Sequence, residues 1–467
     1  MSRLATVRWG TATAAYQVEG ATARGGRTPS IWDTFGAQPG AITRGDTGEV
    51  AARVYEDPAA MLDAVEWLGV ETYRFSVAWS RVITGPDGGV NAEGVAYYRR
   101  LVQELRSRGV QPVITLYHWD LPQWVQDRGG WADLRTAAAF VHFATTVVRE
   151  LGDVVSDWIT INEPFCAAFH GHLSGIHAPG LHDEPTALRA AFVQLHAHGQ
   201  ATRALRAIAP SARVGLAMNL SDLEPASESP ADVAATRRAD LVENRLFLHT
   251  VLQGAVPEDA ADYFGPGVLA AASAGIDVAR IAEPLDFIGI NYYEHNVVRA
   301  AEPGSDLVVR GIAKLPVPEP RSANGVAVHP AGFTRVLVRA AALAPGLPIW
   351  VTENGIGLCD YLGPDGRCHD IERVALIDRY LEALSSAIAQ GAPVEAYFHW
   401  ALMDTFEWNH GFQLRYGLFY VDFPTGRLVP KTSAGHYRAR VAAERASRPM
   451  QEKHGAADEL VPTPRPA

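Results

Sequence analysis

Two glutamates close short apolar runs. Glu353 ends PIWVTENG, where Ile349, Trp350 and Val351 read as a strand buried on both faces and Thr-Glu-Asn-Gly as its exit into a loop. Glu163 ends the run from Trp158, inside Asn162-Glu163-Pro164. A carboxylate where a rigid strand opens into a loop either caps or salt-bridges, or is a catalytic group held at the mouth of a barrel. Other apolar runs end in the same polar way: Tyr16-Gln17-Val18-Glu19, Arg74, Tyr117-His118-Trp119-Asp120, Asn291-Tyr292-Tyr293, and Trp400 through Glu407-Trp408. Singly, each has a structural reading, with His118 a satisfied core histidine, Arg74 a salt-bridge partner and the tryptophans packing. At equivalent places on several strands they make a site. Two carboxylates, one protonated and one ionised, meet the requirement for cleaving a glycosidic bond. Indoles and amides suit a sugar, whose C–H face packs on an aromatic ring while its hydroxyls need fixed donors and acceptors. His118 and the local group His170, His172 and His177 invite a metal, but no carboxylate-and-histidine spacing of a known metal type accompanies them, so no metal and no cofactor is expected.

These residues need elements to hold them. Eight segments read as buried strands: 7–18, 72–79, 112–119, 158–163, 214–220, 287–293, 349–353 and 394–402. Amphipathic helical patterns lie between them, the first behind Asp57-Pro58 with Met61, Leu62, Val65 and Leu68 on one face, the others over 95–105, 137–151, 187–208, 233–252, 330–343 and 371–388. Strand-then-helix repeated in this way predicts an α/β fold, a single (β/α)8 TIM barrel over 1–447. An open doubly wound sheet has no support, because no GxGxxG follows any strand. Stretches 20–56, 171–184 and 294–329 read as long loops that wall a pocket. The polar, proline-rich 448–467 reads as a disordered tail.

Composition narrows the class. With 467 residues, 48% hydrophobic and 20% charged, the chain is an ordinary globular protein. A net charge of −11 argues against a nucleic-acid surface and for a neutral small-molecule partner. No apolar stretch is long enough for a membrane span, and MSRLATVRWG lacks the apolar core of a signal peptide, so a cytoplasmic location is expected. Cys166, Cys359 and Cys368 suit reduced thiols, with a Cys359–Cys368 pair the lesser reading.

The motifs GTATAAYQVEG (10–20), YRFSVAWSR (73–81), TLYHWDLPQW (115–124), TINEPFC (160–166), HAPG (177–180), NRLFL (244–248), GINYY (289–293), VTENG (351–355) and FEW (406–408) together resemble glycoside hydrolase family 1, the retaining β-glucosidases and their relatives. The resemblance implies that Glu353 is the nucleophile and Glu163 the acid, then the base. It implies that the carboxyl groups stand about 5 Å apart and that Arg74 and Tyr293 hold Glu353 ionised, with Asn291 in the catalytic set. Gln17, His118, Asn162, Glu407 and Trp408 would bind hydroxyls of the cleaved sugar, Asn162 near the 2-hydroxyl, and Trp400 would lie against its ring. Relatives acting on thioglucosides lack the acid glutamate, and those acting on 6-phospho-sugars replace the glutamate of FEW. Glu163 and Glu407 are both present, so an O-glycoside with a free 6-hydroxyl is implied.

Five positions depart from the family pattern. Phe165 and Val326 stand where many relatives carry tryptophans on the leaving-group side, which allows a bulkier or more apolar aglycone. Thr405 replaces the usual Asn before FEW, Tyr416 the usual Phe near the 6-position, and His249 the usual Asp of FLDP. The leading expectation is a β-glucosidase. A transglycosylase or a hydrolase dedicated to a small-molecule glycoside is the alternative, and a sugar-binding protein without catalysis the remote one.

Overall fold

The computed structural model describes residues 2–448. Eight parallel strands close a barrel: β1 Arg8–Ala12, β2 Thr72–Ser76, β3 Gln111–Tyr117, β4 Asp157–Asn162, β5 Arg213–Asn219, β6 Phe287–Tyr292, β7 Ile349–Asn354 and β8 Val394–Trp400. Each pairs with its neighbours in chain order, and β8 closes on β1 from Arg8↔Ala396 to Ala12↔Trp400. Every residue of β2, β4, β6 and β7 is buried, which is why these strands are mostly apolar or β-branched, with Arg74, Asn162, Asn291 and Glu353 standing out among them. Helices Ala59–Leu68, Ala92–Ser107, Arg135–Leu151, Glu184–Ile208, Pro330–Leu343 and Ile371–Ala389 are the expected ones to within a few residues. Asn91 and Asp183 cap two of them, accepting from the backbone N–H of Glu93 and Thr186.

The N-terminal end of the barrel is plugged. Trp350 lies flat on Phe287 at 3.6 Å between ring centres, and the guanidinium groups of Arg8 and Arg213 sit over its other aspects at 4.4 and 5.0 Å. Gly10 leaves room for this filling, since a Cβ there would come within 2.6 Å of Phe398.

Four expectations need correction. The first strand ends at Ala12, not Val18, because Ser76 Oγ accepts the backbone N–H of Ala15 and 15–18 turns into one helical turn, all buried. The single helix expected over 233–252 is interrupted: Pro230–Asp240 and Leu246–Gln253 flank a wide π-type turn, Leu241–Arg245. The loop 294–329 contains strands His295–Ala300 and Ile312–Leu315, which form a small sheet with Asp222–Pro225. The loop 20–56 contains helix Ile31–Gly36, begun by a capping box between Ser30 and Asp33. The hairpin Phe419–Asp422 and Arg427–Pro430 and the helix Thr432–Ala446 were not anticipated. The expected tail lies outside the described residues but for Arg448, which pairs with Glu71 and donates to the carbonyls of Ala5 and Val7 at 2.7 and 2.8 Å. Among the described residues no helix is long and apolar enough to cross a membrane. The three cysteines are free thiols.

Candidate active site

The C-terminal strand ends converge on a cavity of ≈ 410 Å³. Glu353, at the end of β7, is buried and accepts from both sides: Arg74 Nη1 donates to Oε1 at 2.7 Å and the Tyr293 hydroxyl to Oε2 at 2.8 Å. Arg74 reaches it from β2 across the barrel floor and is itself pinned, donating from Nε to Thr115 Oγ1 at 3.0 Å and from Nη2 to Asn162 Oδ1 at 2.5 Å. Asn291, on β6, donates to Glu163 Oε1 at 2.7 Å and to Asn162 Oδ1 at 3.1 Å, while its own Oδ1 accepts from Thr352 Oγ1 at 2.5 Å. One hydrogen-bonded sheet of side chains thus links β2, β4, β6 and β7 and fixes both carboxylates.

The backbone is bent to aim them. Glu163 has φ +47°, Trp119 φ +78° and Trp408 φ +52°, left-handed conformations that cost a non-glycine residue about 1–2 kcal/mol. All three side chains line the cavity. Strain at three lining residues marks a place where geometry outweighs local stability.

The electrostatics separate the two glutamates. Burial, and then the charge of Glu353, push Glu163 up to about 8, against the opposing Asn291 amide. Burial also raises Glu353, but the Arg74 guanidinium and the Tyr293 hydroxyl oppose it. Of the two, Glu163 therefore keeps the proton near neutrality. His118 is held neutral by burial and by Arg74. Its Nε2 faces the Asn162 amide nitrogen at 3.3 Å, an arrangement that puts the proton on Nδ1, which has no protein partner.

The candidates fall into two layers. His118, Glu163, Phe165, Asn291, Tyr293, Val326, Glu353, Trp400, Glu407, Trp408 and Tyr416 line the cavity. Arg74, Gln17 and Asn162 are fully buried and hold that lining from behind. Asn162, expected at the 2-hydroxyl, has its amide oxygen taken by Arg74 and Asn291 and its nitrogen against His118. Trp400 lies roughly parallel to His118, and Trp408 stacks along Tyr16 at 7° and tilts against Trp119 and Trp32. Tyr416 stands edge-on to Tyr293.

The outer part of the cavity was missed. Ile176, Glu294, Asp306 and Leu307 reach it from loops, Glu243 from the π-type turn Leu241–Arg245 and Lys314 from the strand Ile312–Leu315, with Lys314 ion-paired to Glu243 at 2.9 Å. No local pattern announces these positions, although NRLFL begins beside Glu243. Of the three grouped histidines, His170 and His177 line the cavity with rings edge-on, while His172 turns its Nδ1 to the carbonyls of Ala167 and Ala168. Four other potential ligands, Asp222, Glu224, His295 and His329, do gather within 4.8 Å. The Arg335 guanidinium already bridges the two carboxylates, contacting Asp222 and Glu224 at 2.5 Å each, and the His295 ring takes Asp222 at 2.6 Å.

The fold and site define a class, and comparison with known proteins names it. The chain belongs to glycosyl hydrolase family 1, which its residues 5–446 match. It is 39% identical to the bifunctional β-D-glucosidase/β-D-fucosidase of Bifidobacterium breve, over 93% of this chain and 97% of that one. Among solved structures, the family 1 β-glucosidase of Exiguobacterium antarcticum B7 superposes with a TM-score of 0.92 at 37% identity, covering 96% of this chain and 100% of that one. The β-glucosidase of Thermotoga maritima in complex with deoxynojirimycin gives 0.90 at 35% identity, covering 94% and 98%.

Proposed function

We propose that this protein is a retaining β-glucosidase that hydrolyses non-reducing terminal β-D-glucosyl residues of small-molecule glycosides by double displacement. The observation that carries the reading is the buried carboxylate pair whose protonation is driven apart, Glu353 clamped by Arg74 and Tyr293, Glu163 held up to about 8 beside Asn291. In the first step a carboxylate oxygen of Glu353 attacks the anomeric carbon while Glu163 gives its proton to the departing glycosidic oxygen. Glu353, now an ester, no longer carries the charge that raises Glu163. The freed Glu163 carboxylate then takes a proton from water, the water oxygen attacks the anomeric carbon, and Glu353 leaves ionised, so the β-configuration is kept. His118, Glu407 and Trp408 would bind the sugar's hydroxyls and Trp400 its face, with Gln17 and Asn162 holding them from behind. Phe165 and Val326 face the leaving group.

Relatives named as glycosidases favour hydrolysis over transfer or mere binding. A cytoplasmic location is supported by the three unpaired thiols. The test is incubation with an aryl β-glucoside, following the aryl alcohol and, by NMR, the anomer of the first sugar released. Release of β-glucose that disappears in Glu353→Gln supports the reading; no release by the wild type, or α-glucose as first product, refutes it.

A further inference from the structure

Glu407 is a further buried carboxylate of the cavity, and its surroundings assign work to a neighbour. Its Oε1 accepts two hydrogen bonds, a short one from Thr405 Oγ1 and one of 3.3 Å from Gln17 Nε2, which also holds the Phe406 carbonyl at 2.8 Å. Thr405 is fully buried, so its hydroxyl has no water to turn to. The residue before it, Asp404, is fixed from four directions: Arg415 Nη1 and Lys431 Nζ each donate to it at 2.6 Å, and the backbone N–H groups of Gly417 and Val421 at 3.1 and 3.2 Å. The segment 404–407 is therefore anchored at Asp404, and Thr405 transmits that anchorage to one oxygen of Glu407.

We propose that Thr405 is a positioning residue that occupies Oε1 of Glu407 and thereby presents Oε2 as the acceptor for hydroxyls of the bound sugar. The proposal rests on the glucosidase reading above. It gives a physical role to a position at which this chain departs from the usual asparagine of its family. Without the Thr405 hydroxyl only the 3.3 Å contact from Gln17 would hold the carboxyl group against rotation about its terminal torsion, which is broad and two-fold, and the fixed direction that discriminates hydroxyl positions would be lost.

Thr405→Val removes the hydroxyl at nearly constant volume, and Thr405→Ser restores it. With an aryl β-glucoside, Thr405→Val should raise KM about 10-fold while kcat stays within about threefold, as loss of a carboxylate-bound hydrogen bond that serves binding implies. The dissociation constant of deoxynojirimycin, measured by calorimetry, should rise in parallel, and Thr405→Ser should restore both quantities to within about threefold. Unchanged KM and inhibitor affinity in Thr405→Val, or a Thr405→Ser as impaired as Thr405→Val, would overturn the proposal. Should Thr405→Val not fold, Thr405→Ala is measured in its place; if neither folds, the role is structural and the proposal is wrong. A wild type that cleaves no β-glucoside but binds deoxynojirimycin refutes the glucosidase reading alone, because the affinity comparison still tests Thr405. A wild type that does neither sinks both.

Discussion

Near the start of β7, Trp350 lies flat against Phe287 under the guanidinium groups of Arg8 and Arg213; further along the same strand, Glu353 sits between Arg74 and Tyr293. Both side chains are buried, and both touch an arginine. At the lower end Arg8 and Arg213 lie over an aromatic plug and pair with Asp157 and Glu395 at 3.2 and 2.8 Å, so their charges brace the wall around it. At the upper end the arginine aims its charge at a carboxylate lining the cavity, and backbone strain is tolerated at Glu163, Trp119 and Trp408. The difference separates what keeps the barrel closed from what the barrel is for, and substitutions at the two ends should fail in different ways.

The largest effect is expected at the upper end. Glu353→Gln keeps an oxygen acceptor for Arg74 but removes the nucleophile, so kcat/KM for an aryl glucoside should fall at least about 10⁴-fold while the melting temperature moves by only about 3 °C. Glu163→Gln should be selective. On substrates with very good leaving groups the first step, read as the pre-steady-state burst, should slow less than about 10-fold, whereas on alkyl glucosides the rate should drop about 10³-fold. Equal losses on both would show that Glu163 is not the acid. At the lower end, Trp350→Ala should cost about 3–5 kcal/mol of stability by denaturant unfolding, yet leave kcat/KM within about threefold at a temperature where the variant is folded.

The smallest effect links the ends through pH. Glu163 is raised to about 8 in the folded protein, whereas an unfolded chain releases that proton near pH 4. Between those values the native state holds a proton that the unfolded state has lost. The stability this group contributes is complete below the unfolded value and declines as pH rises through the folded one, the reverse of a salt-bridged carboxylate. Between about pH 5 and 8 the wild type should thus lose up to about 1 kcal/mol per pH unit more than Glu163→Gln, measured by unfolding at each pH. A parallel course of the two would contradict the assignment of the proton to Glu163.

How much of this was legible depended on what each residue's position hangs on. The eight strands were readable because parallel strands buried on both faces leave apolar, β-branched runs, and the polar residues ending them stood out against that background. Glu353, Arg74, Tyr293 and Glu163 stand out in this way. The end of β1 was not, since the turn at 15–18 depends on Ser76 of another strand accepting the Ala15 N–H. Nor were the strands within 294–329: His295–Ala300 is held between Ile312–Leu315 and Asp222–Pro225, the latter remote in sequence, and the short outer strand packs only on this one. Glu243 and Lys314 escape for the same cause, because one sits in an irregular turn and the other on that hidden strand, and they meet only in the folded chain. Asn162 reads as a partner of the sugar's 2-hydroxyl, and its amide is also joined to Arg74, Asn291 and His118, contacts its residue type does not declare. Residue type reveals that a polar group is needed and not which neighbour uses it.

The central claim is that Glu353 forms a bond to the sugar. Incubation with a 2-deoxy-2-fluoro-β-glucoside carrying a good leaving group slows the release of the intermediate, and peptide mapping by mass spectrometry then locates the label. One fluoroglucosyl group is expected on the peptide containing Glu353, absent from Glu353→Gln. A label on Glu163, or turnover without any trapped adduct, would contradict it.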